Sequence, residues 1–349
     1  MSTTPKAGFL AIELDGAAPD GLAAAVLAAE SAGFHAATFA DAPIPGRINA
    51  LQRAAFAGPV TRSIALVPEV DTVYTEPFHV STQLASLDYV SGGRAGWIAT
   101  AEASTEAAAA VGRAPVTGPG LGQEAAASIE VSRRLWDSWE DDAVIRDVAT
   151  GRYLDVDKLH YADFETSADF AGPGYSVKGP SIIPRPLQGQ LPVLAAAPLV
   201  AGGQLPADAV LVSAPSPELL AAEVRAVRAR LGASLAIVAE LDVVLDARGQ
   251  AAAERVGTAS GRARFAGSAA ALTDYLEQLL AEADGVRLHP ESLAIELEDL
   301  ARHVLPELRR RGVLRPVVQD GTFRELLGLE RPESRYARPG TAAAVGTGN

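Results

Sequence analysis

The sequence predicts an α/β fold, a (β/α)8 TIM barrel spanning residues 1–337 as one domain. Three observations predict it. Eight short apolar runs have the length and composition of buried strands. Most are followed by a helical pattern, and strands alternating with helices imply a parallel sheet. A chain of 349 residues also accommodates eight such units with an insertion. A doubly wound open sheet is the alternative architecture, but no G-x-G-x-x-G or Walker motif supports a nucleotide-binding version of it.

The elements follow in order. Gly8–Leu14 (GFLAIEL) is a continuous apolar run, as expected of a parallel strand covered on both faces. The helix DGLAAAVLAAESAGF comes next, with Asp20 as N-cap and Gly33 as stop. Ala36–Asp41 is the second strand, Arg47–Gly58 the second helix and Ser63–Val70 the third strand. The third helix starts near Pro77, whose missing N–H costs nothing in a first turn, and ends at Gly92. Arg94–Thr100 (RAGWIAT) is the fourth strand and Gly122–Trp139 the fourth helix. The alternation then breaks over 140–191, a polar, Gly/Pro-rich excursion too long for an ordinary connection. It resumes with Leu191–Ala197, a weak fifth helix in PLVAGGQLPA, the strand Asp208–Ala214 and the helix SPELLAAEVRAVRARLG. Ser234–Asp246, the helix SAAALTDYLEQLLAEA, Gly285–Pro290 and a helix over Ser292–Arg311 complete the barrel. Residues 338–349 read as a disordered tail.

Bulk properties exclude several classes. With 43 acidic against 30 basic residues the formal charge is −13, which argues against nucleic-acid and anionic-membrane partners. The absence of cysteine removes disulfides, thiolate metal sites and cysteine nucleophiles. The start of the chain has no leader-like apolar run, and no window approaches a membrane span, so a cytoplasmic location is expected.

In such a barrel the chemistry sits at the C-terminal strand ends. That rule selects Glu13, Asp15, Asp41, Glu69, Asp71, Thr72, Thr100, Glu102, Ser213, Glu240, Asp242, Arg287 and His289. Each carboxylate taken alone reads as solvated. One histidine among them is too few for a histidine-based metal site, so no metal is expected. His35, His79, His160 and His303 read as structural, Asp137, Glu140, Asp141 and Asp142 as a solvated helix end, and Trp136 and Trp139 as packing residues.

Four stretches carry a resemblance: TEPFHVSTQLASLDYVSGGRAGW (75–97), RRLWDSWEDDAVIRDVATGRYLDVDKLHY (133–161), YSVKGPSIIPRPLQGQLPV (175–193) and VLPELRRRGVLRPVVQDGTFRELLGLERPESRYA (304–337). Together they resemble the luciferase-like FMN-dependent monooxygenases, in the branch of nitrilotriacetate monooxygenase, dibenzothiophene-sulfone monooxygenase and pristinamycin synthase subunits. The resemblance implies a TIM barrel and reduced FMN supplied by a separate flavin reductase. It also implies oxygen activation on a small organic substrate, and a homodimer, or a heterodimer with a paralogue, built on the second and third helices. The implied flavin contacts are Asp41, in the Phe39-Ala40-Asp41 pattern, with Asp71, Thr72 and Thr100.

Other positions depart from the family. Ile98, Ala101 and Glu102 stand where it has an amide and a Thr-Ser pair. GPGLGQEAAASIE lacks its His and Arg-Tyr, AAAPLVAGG replaces its phosphate turn, and AAPDGLAAAV replaces its His-Pro-x-x-Trp-Arg. These departures leave open a monooxygenase with a degraded flavin site, a non-catalytic partner subunit that binds FMN weakly or not at all, and a barrel for another ligand such as a deazaflavin. No catalytic residue is assigned, and the apolar Ile98 and Ala99 point to an uncharged substrate.

Overall fold

Eight parallel strands close into a ring in a computed structural model that describes residues 7–15, 19–41, 48–201, 205–232 and 234–337. The strands are β1 (Phe9–Glu13), β2 (Ala36–Phe39), β3 (Ala65–Asp71), β4 (Trp97–Thr100), β5 (Val144–Asp147), β6 (Arg152–Leu154), β7 (Phe164–Glu165), β8 (Ser176–Val177), β9 (Val193–Ala196), β10 (Ala209–Val212), β11 (Ala236–Leu245), β12 (Ala263–Gly267) and β13 (Gly285–Pro290). The helices are α1 (Leu22–Ala32), α2 (Ala50–Ala57), α3 (Pro77–Ser91), α4 (Thr105–Ala110), α5 (Pro119–Asp137), α6 (Ala197–Val200), α7 (Pro217–Leu231), α8 (Ala252–Arg255), α9 (Ala269–Glu282), α10 (Leu293–Asp299), α11 (Leu305–Arg310) and α12 (Phe323–Leu327). The ring runs β1-β2-β3-β4-β9-β10-β11-β13 and closes on β1, which reproduces the eight predicted strands. β12 lies outside it, paired with the upper half of β11, where it raises one side of the barrel mouth. Its sequence, ARFAG, is broken by Arg264 and lacks the longer apolar run that marks the others.

Strand alternation sorts the side chains into two layers. Leu10, Ile12, Trp97, Ala99, Val210, Val286 and Leu288 face the helices. Phe9, Ala11, Ala36, Ala65, Val67, Ile98, Leu194, Ala209, Leu211 and Val238 fill the barrel interior. Many of these interior residues are small, and α12 supplies the missing volume by inserting Phe323 from the N-terminal end. Gly96 makes room for it: a Cβ there would lie 2.4 Å from the Phe323 ring. Ile98 is therefore part of the interior plug and Ala99 faces the helices, so neither supports the expected uncharged substrate.

The excursion is not structureless. It folds into two hairpins, β5/β6 and β7/β8, and the second packs on α5 through Ala127, Val131, Leu135, Ala162 and Phe164. The expected solvated helix end is corrected as well. Asp137 is buried against Arg185 (3.0 Å), and Asp141 binds both Arg185 (3.1 Å) and Arg331 (2.5 Å). The indole nitrogens of Trp136 and Trp139 donate to the carbonyls of Ser81 (3.0 Å) and Ser181 (2.8 Å), a packing role as predicted. The α1 cap differs slightly: Asp20 lies in a short 3-10 turn and Gly21 takes the cap position. The last predicted helix is α10 and α11 joined by one π-helical turn, Leu300–Val304. Residues 338–349 lie outside the described residues.

The four stretches that carry the resemblance meet in one polar network. Asp88 accepts from Gln188 N (3.1 Å) and Nε2 (2.6 Å), and Gln188 Oε1 accepts from Arg324 N (2.9 Å). Tyr89 Oη donates to the Arg185 carbonyl (2.7 Å), while Arg335 reaches Asp137 and Glu130. The stretches that carry the resemblance thus strap the excursion and the segment after α11 to α3 and α5.

Candidate active site at the barrel mouth

The inward positions nearest the C-terminal strand ends are Glu13 on β1, Thr38 on β2, Glu69 on β3, Glu240 on β11, and Arg287 with His289 on β13. They converge on the Arg287 guanidinium. Its Nη2 donates to Glu13 Oε2 (2.5 Å) and Glu69 Oε1 (2.6 Å), its Nη1 to Glu240 Oε1 (3.1 Å) and its Nε to Thr38 Oγ1 (2.9 Å). The acids are held in turn. Glu13 accepts from Thr38 Oγ1 (2.8 Å) and Ala40 N (2.9 Å), Glu69 from Asp41 N (3.4 Å), and Glu240 from Ser213 Oγ (2.8 Å). Strand-end carboxylates expected to be solvated instead form a shared shell around one buried cation.

Burial works against the charged form of Glu13, but the Arg287 charge, with the Arg287 and Thr38 hydrogen bonds, outweighs it and holds the carboxyl below its usual value. Glu240 is held far below the carboxylate range against the same burial penalty, by the Arg287 charge and the Ser213 hydrogen bond. Burial opposes the Arg287 charge, yet Glu69, Glu13 and Glu240 raise its pKa further. Burial, reinforced by Arg287, lowers His289 and favours the neutral ring. His289 Nε2 lies 3.4 Å from Glu240 Oε1 without hydrogen-bond alignment, so this buried nitrogen has no partner among the described residues. Formally, one guanidinium faces three carboxylates, and the mouth favours cations or hydrogen-bond donors over anions.

The predicted cofactor contacts lie on the adjoining rim. Asp41 accepts from Asn49 Nδ2 (2.7 Å). Asp71 accepts from Val73 N (3.2 Å) and Tyr74 N (2.5 Å), and its pKa is raised by burial despite those bonds. Thr72 Oγ1 donates to the Thr100 carbonyl (2.8 Å), locking the ends of β3 and β4 together. Of the other candidates, Asp242 binds Arg262 (2.8 Å) and Arg264 (3.5 Å), Asp15 binds Arg53 (3.5 Å), and Glu102 is exposed.

Beside Thr72 opens a cavity of about 320 Å³ that the sequence did not reveal. The end of β3, the start of α3, Arg113, Glu124 of α5, and Tyr175 at the tip of the excursion enclose it. Arg113 donates to Glu124 Oε1 (2.5 Å) and to the Val73 carbonyl. Burial raises Glu124, Asp71 adds to the shift and Arg113 opposes it. Burial and then the Glu124 charge push the Tyr175 phenol upward, so it stays a hydrogen-bond donor. These groups come from separate segments with no motif in common, so no local pattern points to them. The excursion contributes a wall of this cavity.

Among the described residues, the barrel mouth offers the phosphate of FMN no unpaired arginine. The phosphate wants unpaired cations, hydroxyls or oriented N–H groups. The mouth arginines Arg53, Arg113, Arg262, Arg264 and Arg287 are each paired with acids. Pro198 removes a donor from the four-residue α6. An uncharged ring system meets no such objection, because the rim offers both donors and acceptors.

Comparison with known proteins agrees with the architecture. Residues 4–308 match the family described as luciferase-like monooxygenase. Nitrilotriacetate monooxygenase component A of Aminobacter aminovorans is 27% identical over 361 residues, covering 80% of this chain and 78% of the relative. One of the subunits of the pristinamycin IIA synthase of Streptomyces pristinaespiralis is 36% identical over 191 residues, covering 54% of this chain and 60% of the relative. A riboflavin lyase solved with a modified FMN and riboflavin superposes with a TM-score of 0.80 at 22% identity, covering 95% of this chain and 98% of its own. A long-chain alkane monooxygenase superposes at 0.79 with 19% identity, covering 93% and 96%. Strand ring, helix order and family match agree, and the chain belongs to the luciferase-like monooxygenase family.

Proposed function

We propose that this protein is a flavin-dependent monooxygenase that acts on a small organic substrate and takes its reduced flavin from a separate reductase. Family membership and the relative named as component A of a monooxygenase support the reading. The observation that carries it is the cavity beside Thr72, at the end of the barrel where such enzymes work. Its volume suits a small ligand, and its walls are apolar apart from a few convergent polar groups. When bound, reduced flavin supplies the electrons that activate oxygen.

The chain's own part is positioning. The Arg113–Glu124 pair and the Tyr175 phenol bind and orient a polar group of the substrate. The β7/β8 hairpin limits the entry of water. Asp41, Asp71, Thr72 and Thr100 border the rim where a flavin ring would lie. Dimerisation through α2 and α3 is supported by exposed apolar side chains on that face: Phe56 (55% exposed), Val60 (40%), Tyr89 (41%) and Val90 (48%).

Titration with oxidised and reduced FMN, read by flavin absorbance and fluorescence, tests the proposal. Saturable binding that perturbs the ring supports it. No binding up to about millimolar flavin defeats it and leaves a family barrel without flavin chemistry.

A further inference from the structure

At the face opposite the mouth, before the strands begin, lie two adjoining cavities of about 710 and 360 Å³ that share Ser63, Arg315, Pro316 and Val317 as walls. Arg62, Arg309 and Arg315 line the larger, and Arg94 and Arg315 line the smaller. We propose that this cleft is a binding site for a small polyanion carrying phosphate or carboxylate groups.

The reason is the state of these arginines. The chain has an excess of acid, and arginines throughout it pair with carboxylates, as Arg113, Arg185, Arg287, Arg311 and Arg331 do. The four here make no ion pair among the described residues. Arg94 is buried, and it donates to Thr61 Oγ1 (2.9 Å) and to the carbonyls of Ile64 (2.5 Å), Thr61 (2.9 Å) and Gly58 (3.1 Å). Arg309 Nη2 caps the carbonyls of Ala32 (2.7 Å) and Gly33 (2.8 Å). Arg315 donates through Nε to the Ala7 carbonyl (2.9 Å) and through Nη1 to that of Leu326. Carbonyls satisfy hydrogen bonds but bring no countercharge, so the positive charge remains. Donors also remain: Arg315 Nη2, Arg309 Nε and Nη1, and the whole Arg62 guanidinium have no acceptor among the described residues.

Two acids line the cleft, Glu30 in the larger cavity and Glu325 in the smaller, so four guanidiniums face two carboxylates. Glu30 Oε1 accepts from Arg62 N (2.8 Å), Ser63 N (2.7 Å), Ser63 Oγ (3.1 Å) and Ile64 N (3.1 Å). Glu325 is held by the N-terminus of α12, and Asp320 is exposed. His35, between Leu10 N and the Arg315 carbonyl, is lowered by burial and adds no charge. Converging guanidinium forks match phosphate and carboxylate oxygens. The net charge of −13 disfavours an extended polyanion, which leaves a small one.

The test is calorimetric titration of the full-length protein with inorganic pyrophosphate and, separately, citrate at constant ionic strength. One saturable site is expected. Arg62→Gln should weaken it about tenfold, the value of one charge-assisted contact. The Arg62 guanidinium holds no acceptor among the described residues, so the unliganded melting temperature of this variant should match the wild type. Arg309→Gln should weaken binding similarly. Preference for pyrophosphate would assign a phosphate ester, and preference for citrate a polycarboxylate. Absence of saturable heat from either anion up to about 10 mM, or unchanged affinity in Arg62→Gln, overturns the proposal.

Discussion

Replacing Arg287 with methionine should convert the barrel mouth from a stable charge cluster into an acid-dependent one. The substitution keeps a long apolar stem but removes donors to Glu13, Glu69, Glu240 and Thr38. Uncompensated buried charge costs about 3–5 kcal/mol when one partner is removed. At roughly 2 °C per kcal/mol for a large chain, the melting temperature at pH 7.5 should fall by about 6–10 °C. The sign of the pH dependence separates this from a packing defect. In the wild type, Glu13 and Glu240 have depressed pKa values. Their stabilisation is complete above the unfolded value near about 4.3, and is lost only as pH falls further, through the folded values. Between pH 7.5 and 5 they therefore contribute a constant amount. In the variant the same carboxyls lack a cation, burial raises their pKa values, and protons bind preferentially to the folded state. Acidification to pH 5 should then recover about 1–3 kcal/mol. Thermal and urea unfolding at the two pH values measure the difference. A penalty equal at both, or no penalty at pH 7.5, would refute the account of the cluster.

Three further outcomes follow from the structure. Burial is the main cause that raises Asp88 to about 6, against the hydrogen bonds from Gln188. Such a group stabilises the fold as pH drops below its folded value, so Asp88→Asn should lose about 1.4 kcal/mol relative to wild type between pH 7.5 and 5, read by urea unfolding; a pH-independent difference contradicts it. Riboflavin and FMN should bind with affinities within about threefold of each other, because the described arginines of the mouth are all paired with acids; fluorescence titrations with FMN at least about tenfold tighter would reveal an anchor. Phe56→Glu places a charge on the exposed apolar face of α2 and should shift the protein toward monomer in sedimentation, with the melting curve of the monomer otherwise cooperative; an unchanged sedimentation coefficient would locate any interface elsewhere.

The ring is legible in the sequence because buried parallel strands announce themselves as apolar runs, and all eight appear where those runs lie. β12 and the two excursion hairpins are not, since their strands carry no long apolar run and gain their order from the elements they join. The rule of strand ends collects Glu13, Glu69, Glu240 and Arg287, but a sequence carries no distances, so their convergence on one guanidinium emerges only in three dimensions. Thr38, Arg113, Glu124 and Tyr175 escape that rule because they stand on separate elements and share no motif. Asp137 and Asp141 depart from expectation because a charge run at a helix end is usually solvated, and their arginine partners lie 44 to 198 residues away.

Phe323 sets a timetable for folding. The interior of the barrel keeps a hole the size of an aromatic ring until a residue far along the chain has been synthesised. On the ribosome, the strands can line up and the helices can cover them well before that, yet the interior layer of alanines and glycines has nothing to close upon. The family match stops at residue 308, short of this plug and of the Arg331 and Arg335 clasps. Cutting a version of this protein at the family boundary would therefore yield a barrel with its walls built and its floor missing, an object prone to capture by chaperones or by its own copies.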